Sequence, residues 1–157
     1  MLHKKRKLLK SQKGFTLIEL LAVIVILAII AAIAIPAIAS VIKNSRFNAI
    51  KSDAIQVISA AKLYVSDNGV KSSLDYNDLK HYIDDENSKI KPDQAPTFKV
   101  DVTTDDSNGG KTVYKFTGYG EDGDIKIKFN NADLKTIDAA KRTDLKPDDN
   151  GVYTIGQ

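Results

Sequence analysis

Glu19 is the residue whose type and position together suggest chemistry. It stands at the mouth of an uninterrupted apolar run, the twenty residues from Leu20 to Ala39. A charged side chain at the centre of a lipid-spanning helix costs about 2.5–3.5 kcal/mol on insertion scales and less near an interface, so an intramembrane acid implies a function. The plain alternative is an interfacial acid in a simple anchor. Elsewhere the inventory for catalysis is short. The chain has no cysteine and only two histidines, His3 and His81. His81 lies between Lys80 and Tyr82 and reads as a surface residue, and no serine pairs with it in a recognisable motif. No glycine-rich phosphate loop sits between a strand and a helix. No catalytic residue is assigned, and the chain reads as a non-enzyme. Two acidic loops, Glu121-Asp122-Gly123-Asp124 and Asp148-Asp149-Asn150, offer the hard oxygen donors that calcium takes. Neither has the twelve-residue spacing of a calcium loop, and Asp and Gly are ordinary turn residues. No metal and no cofactor is therefore assigned, with calcium kept as the alternative at Glu121, Asp122, Asp124, Asp148 and Asp149.

The element that positions Glu19 is a helix. Twenty residues rising about 1.5 Å each cover the roughly 30 Å hydrocarbon core of a bilayer. Residues 1–14 carry Lys4, Lys5, Arg6, Lys7, Lys10 and Lys13 without an Asp or Glu. That bias holds the N-terminus in the cytoplasm and sends the C-terminus out. An ordinary secretory signal is the rival, with Ala37-Ile38-Ala39 before Ser40 as its small-residue cleavage site, although a signal core usually has about 7–15 apolar residues. The whole chain carries 23 basic and 20 acidic residues, a net +3. Without the six leader cations 17 face 20, so the balance reverses to −3 and gives no direct indication of nucleic-acid binding.

Past the apolar run the helical period continues, with Phe47, Ile50, Ala54, Val57, Ile58, Ala61 and Val65 on one stripe. That stripe is expected to pack on a small sheet. Asp67-Asn68-Gly69 should end the helix, and Phe15 to Ser66 would then measure about 75 Å. Pro36 removes a donor and crowds the preceding turn, so a kink is expected there. Asp75 can cap a turn of helix through Tyr76, Leu79, Tyr82 and Ile83. Alternation predicts strands at Phe98–Thr103, at Val113–Thr117 with Tyr114 and Phe116 inward, and at Ile125–Phe129. Asp105–Gly110 and Gly118–Gly123 read as turns, Ala132–Arg142 as a short helix, and Gly151–Ile155 as a last edge strand. The fold class is α+β, a long N-terminal helix on a small antiparallel sheet of three to four strands.

Gly14-Phe15-Thr16-Leu17-Ile18-Glu19 resembles the class III signal of type IV prepilins and pseudopilins, with Pro36 where these proteins often kink. The resemblance covers roughly residues 1–66. It implies a cut after Gly14 by a prepilin peptidase and methyltransferase, with N-methylation of the new terminus at Phe15. It divides the chain into a leader at 1–14, a hydrophobic transmembrane and assembly helix at 15–42, an amphipathic half at 43–66 and an extracellular region at 67–157. It also implies that Glu19 of an incoming subunit meets the Phe15 amine of a neighbour. A pair within one subunit, at i and i+4, is the alternative. Many Gram-negative pilins and Gram-positive competence pseudopilins carry a cysteine pair that this chain lacks; a Gram-positive source is favoured.

Three readings follow. The leading one is a structural subunit of a type IV pilus, serving adhesion, motility, biofilm formation or DNA uptake. It is anchored in the cell membrane with its C-terminus outside, then drawn into a surface filament by an assembly ATPase and a membrane platform protein. Its partners would be copies of itself and other pilins. The second is a pseudopilin of a type II secretion or competence system. The third is a single-span membrane protein whose outer part binds a ligand.

Overall fold

The computed structural model describes residues 16–84, 86–105 and 109–157. Two compact units divide the chain, one closing at Ala39 and the other running Ser40–Gln157. Helix α1 (Leu17–Asn68) starts in the former and ends in the latter.

In the first unit α1 is helical throughout, Pro36 included. Every Leu, Ile and Val from Leu17 to Ile42 is exposed. By length and composition the helix can cross a membrane.

The second unit holds the core. The 3.6-residue period puts Phe47, Ile50, Ala54, Val57, Ile58 and Ala61 on one side of α1, and all are buried. Burial of a large apolar side chain stabilises by about 1.5–3 kcal/mol, so this stripe alone fastens helix to sheet. The helix stops where the sequence predicts, two residues later than Ser66. Gly69 takes φ +87° and returns its N–H to the Val65 carbonyl at 2.9 Å, a conformation that glycine adopts without strain.

The sheet has five strands in the order β1 (Ser73–Asp75), β2 (Lys99–Asp105), β3 (Lys111–Asp122), β4 (Ile125–Asp133) and β5 (Val152–Gly156). This corrects the expected three to four antiparallel strands in two respects. A three-residue strand β1 joins one edge, and β5 pairs parallel to β4, with Lys126 opposite Val152 and Phe129 opposite Ile155. A parallel pair needs a crossover, which α3 (Leu134–Ala139) and a 3-10 turn at Arg142–Asp144 supply. Helix α2 (Tyr76–Leu79) follows β1, capped by Asp75 as expected, with Asp78 answering in a reciprocal capping box, but it stops short of Tyr82 and Ile83, which lie in the turn beyond it.

Strand β3 also corrects the predicted turn at Gly118–Gly123: those residues up to Asp122 are strand, and only Gly123-Asp124 turns. Gly118 and Gly120 belong to close approach. A Cβ on Gly120 would run into Ile50 of α1, so the strand can lie on the helix only because that side chain is missing. Opposite Thr117 the β4 strand carries two residues, Asn130 and Asn131, and this bulge leaves Asn131 at φ +52° with its N–H on the Thr117 hydroxyl at 3.1 Å. Phe116 is fully buried as predicted, while Tyr114 lies half-buried at the rim. Tyr76, Phe98, Phe116 and Phe129 form a run of ring contacts with centroids 5.2–5.8 Å apart, joining α2, the approach to β2, β3 and β4.

Candidate functional site

The site is built around Glu19, at the head of α1. Its carboxylate accepts the backbone N–H of Thr16 at 2.8 Å and the Thr16 hydroxyl at 2.9 Å. The Glu19 N–H in turn donates to the Thr16 hydroxyl at 3.3 Å, and the Leu20 N–H takes the Thr16 carbonyl at 3.1 Å. Thr16 is thus the N-cap and Glu19 the third helical residue of a reciprocal capping box. The negative charge also sits at the positive end of the helix dipole. Both consequences are spelled in Thr16-Leu17-Ile18-Glu19, the S/T-x-x-E form that precedes an apolar run, and they give Glu19 a local role besides that of an ion-pair partner. Gly14 and Phe15, the expected cleavage and methylation positions, lie outside the described residues, as do His3 and the leader cations. The Phe15 amine therefore has no described geometry with Glu19.

From Thr16 onward the helix presents apolar side chains in every direction up to Ile42, with no polar side chain between Glu19 and Ser40. Such a surface is out of place in water. It requires lipid or other apolar helices around it.

The acidic loops serve local structure. Asp124 accepts Arg46 at 2.8 Å and lies 3.3 Å from the Lys43 ammonium, so the β3–β4 turn is tied to α1. The hydrogen bond from Arg46, then that from Lys43, holds the Asp124 carboxyl below the usual carboxylate range. All three side chains are nearly half exposed, and water screens the pair. Glu121 accepts the Tyr119 hydroxyl at 3.4 Å. Asp148 accepts the N–H groups of Asn150 and Val152, both at 2.9 Å, and so builds the turn into β5. Among the described residues no three His, Cys, Asp or Glu side chains are placed together to hold a metal ion. His81 is exposed on the turn after α2.

Two basic residues were not singled out by their pattern. Lys51 points its ammonium at the carbonyls of Asp138 and Ala140, at 2.9 and 2.7 Å, and so caps the C-terminal end of α3. Burial lowers its pKa, partly opposed by the Asp138 charge. Arg142 donates from Nε to Asn44 Oδ1 at 2.7 Å and from Nη2 to the Ser40 hydroxyl at 3.5 Å, fastening the crossover to the start of the second unit. Nothing in the period of either segment signals these contacts, because each depends on the β4–β5 crossover.

Residues 9–35 match the family model described as the prokaryotic N-terminal methylation motif. No curated protein and no solved structure matches the chain. The matched segment ends inside the apolar half of α1, and the α+β architecture fits the pilin fold with one strand more than expected. The motif is that of type IV pilins and pseudopilins, and the long helix on an α+β head is consistent with a protein similar to them.

Proposed function

We propose that the chain is a structural subunit of a type IV pilus. In this reading prepilin peptidase cuts after Gly14, the new Phe15 terminus is methylated, and the subunit waits in the cell membrane with its C-terminus outside. An assembly ATPase and a platform protein then draw it into a surface filament with copies of itself and other pilins. The observation that carries the reading is the wholly apolar, exposed first half of α1, opened by Glu19 and covered by the methylation-motif match.

Glu19 is held by Thr16 while the subunit stands alone. In the filament we assign it to the Phe15 amine of a neighbour, a partner that exists only after the leader is removed. Burial of that amine without a counter-charge would cost several kcal/mol, so the pair sets axial register. Identical helices would bundle at the filament axis in head-to-tail contacts that do not close. The head supplies no chemistry in this account and faces outward.

The test is Glu19→Ala in cells, read in the sheared surface fraction and by electron microscopy. The expected result is a protein retained in the membrane and absent from filaments. Incorporation equal to wild type would overturn the assembly role and leave the single-span ligand-binding alternative. Extended fibres containing the chain distinguish a pilus from the short pseudopilus of a secretion or competence system.

A further inference from the structure

The crossover and the first turns of the second unit form an open surface pocket of about 210 Å³, lined by Asn44, Phe47, Asn48, Lys141, Arg142 and Thr143. No carboxylate lines it. Asp144, the next residue, accepts the Thr143 hydroxyl at 3.0 Å. The nearby cations Lys43 and Arg46 are already engaged by Asp124. Lys141 and Arg142 remain as its charges. Arg142 uses Nε on Asn44 and Nη2 on Ser40, which fixes the plane of its five-donor fork and leaves further N–H groups for a ligand. Asn44 accepts through its oxygen, so its NH₂ is left to donate. Beside the Phe47 ring the lining thus offers the Lys141 ammonium, the remaining Arg142 N–H groups and the Asn44 amide, two positive charges and a neutral donor of the kind a tetrahedral oxyanion takes.

Position supplies the source of that oxyanion. Asn44 follows Ile42, the last residue of the apolar stretch, by two positions along the same helix. A membrane that takes the apolar stretch must have its polar surface at this point of the chain. The cavity is also below the roughly 300–1,000 Å³ of ordinary small-molecule pockets, which suits a single phosphate group rather than a metabolite.

We propose that this cavity binds the phosphate of an anionic membrane phospholipid, holding the crossover against the bilayer surface while the subunit is anchored. The proposal rests on the membrane-anchored reading above. Leaving the membrane then includes releasing a headgroup as well as the acyl chains.

The experiment uses the full chain in nanodiscs of phosphatidylcholine alone or mixed with phosphatidylglycerol, reading amide exchange over residues 140–146. Phosphatidylglycerol should slow exchange by about tenfold, the ratio a charge-assisted hydrogen bond supports. Lys141→Gln, which leaves the Arg142 bonds to Asn44 and Ser40 in place, should remove most of that slowing without changing exchange in phosphatidylcholine. An equal rate in both lipids, with the chain embedded, overturns this proposal alone. Slowing by inorganic phosphate in phosphatidylcholine discs overturns the lipid source in favour of a free anion. A chain that fails to enter either disc overturns the anchored reading and the proposal with it.

Discussion

Thr16 and Glu19 satisfy each other at the head of α1, and the same economy governs the carboxylates of the head. Asp78 binds Lys71 at 2.5 Å and closes the α2 capping box, and Asp133 caps α3 through the Thr136 N–H at 2.7 Å. The Lys71 hydrogen bond lowers the pKa of Asp78, and the hydrogen bonds from Thr136 lower that of Asp133. A folded pKa below the unfolded one gives stability that is complete above the unfolded value of about 3.9 and is lost as pH falls through the folded value. Melting temperature of the head should therefore hold from neutrality to about pH 5 and fall below pH 4; a melting temperature that rises on acidification would contradict these assignments. The acidic loops carry a second expectation. Asp124 is occupied by Arg46 and Lys43 and Asp148 by two backbone N–H groups, so we expect millimolar calcium to leave the melting temperature unchanged. A calcium-dependent rise would show that the loops rearrange into a site.

At the scale of elements, legibility followed periodicity. The buried stripe from Phe47 to Ala61 and the alternation of Ile125, Ile127 and Phe129 repeat at the helix and strand periods, and both stand where predicted. Strand β1 has one apolar residue, Leu74, between Ser73 and Asp75, too short a segment to carry a pattern. The parallel placement of β5 depends on a crossover and leaves no local mark. Gly118 and Gly120 depart from the turn reading for a physical reason: glycine marks a turn by its freedom at positive φ, but here Gly118 leaves room for the Phe116 ring of its own strand and Gly120 for Ile50 of α1. Gly120→Ala tests this directly. Overpacking against Ile50 should destabilise the head by about 1–3 kcal/mol, seen as a lower denaturation midpoint with unchanged slope. A neutral effect would mean that the strand can lift from α1 without cost. At the site, the acid and its apolar setting were legible, whereas the capping box needed attention to Thr16, and the Lys51 and Arg142 contacts needed the fold.

On the scale of the whole molecule the chain joins a segment that water rejects to a head with its own core. Among the described residues nothing buries the large apolar side chains from Leu17 to Ile42, while the core of residues 47–155 takes no contribution from them. That division is what a subunit requires if its apolar helix is to pass from lipid into a bundle of identical helices while its head stays folded. On the proposed reading the leader gains a meaning too: its six cations would fix the orientation of the span and would have to be removed before Glu19 could find an amine. The most direct measurement is the N-terminal residue of the mature protein, by mass spectrometry of protein from the cell surface. The account predicts a start at N-methylated Phe15. A start at Ser40 would contradict it, because the apolar helix would then have been a discarded signal and the mature chain would have no assembly segment.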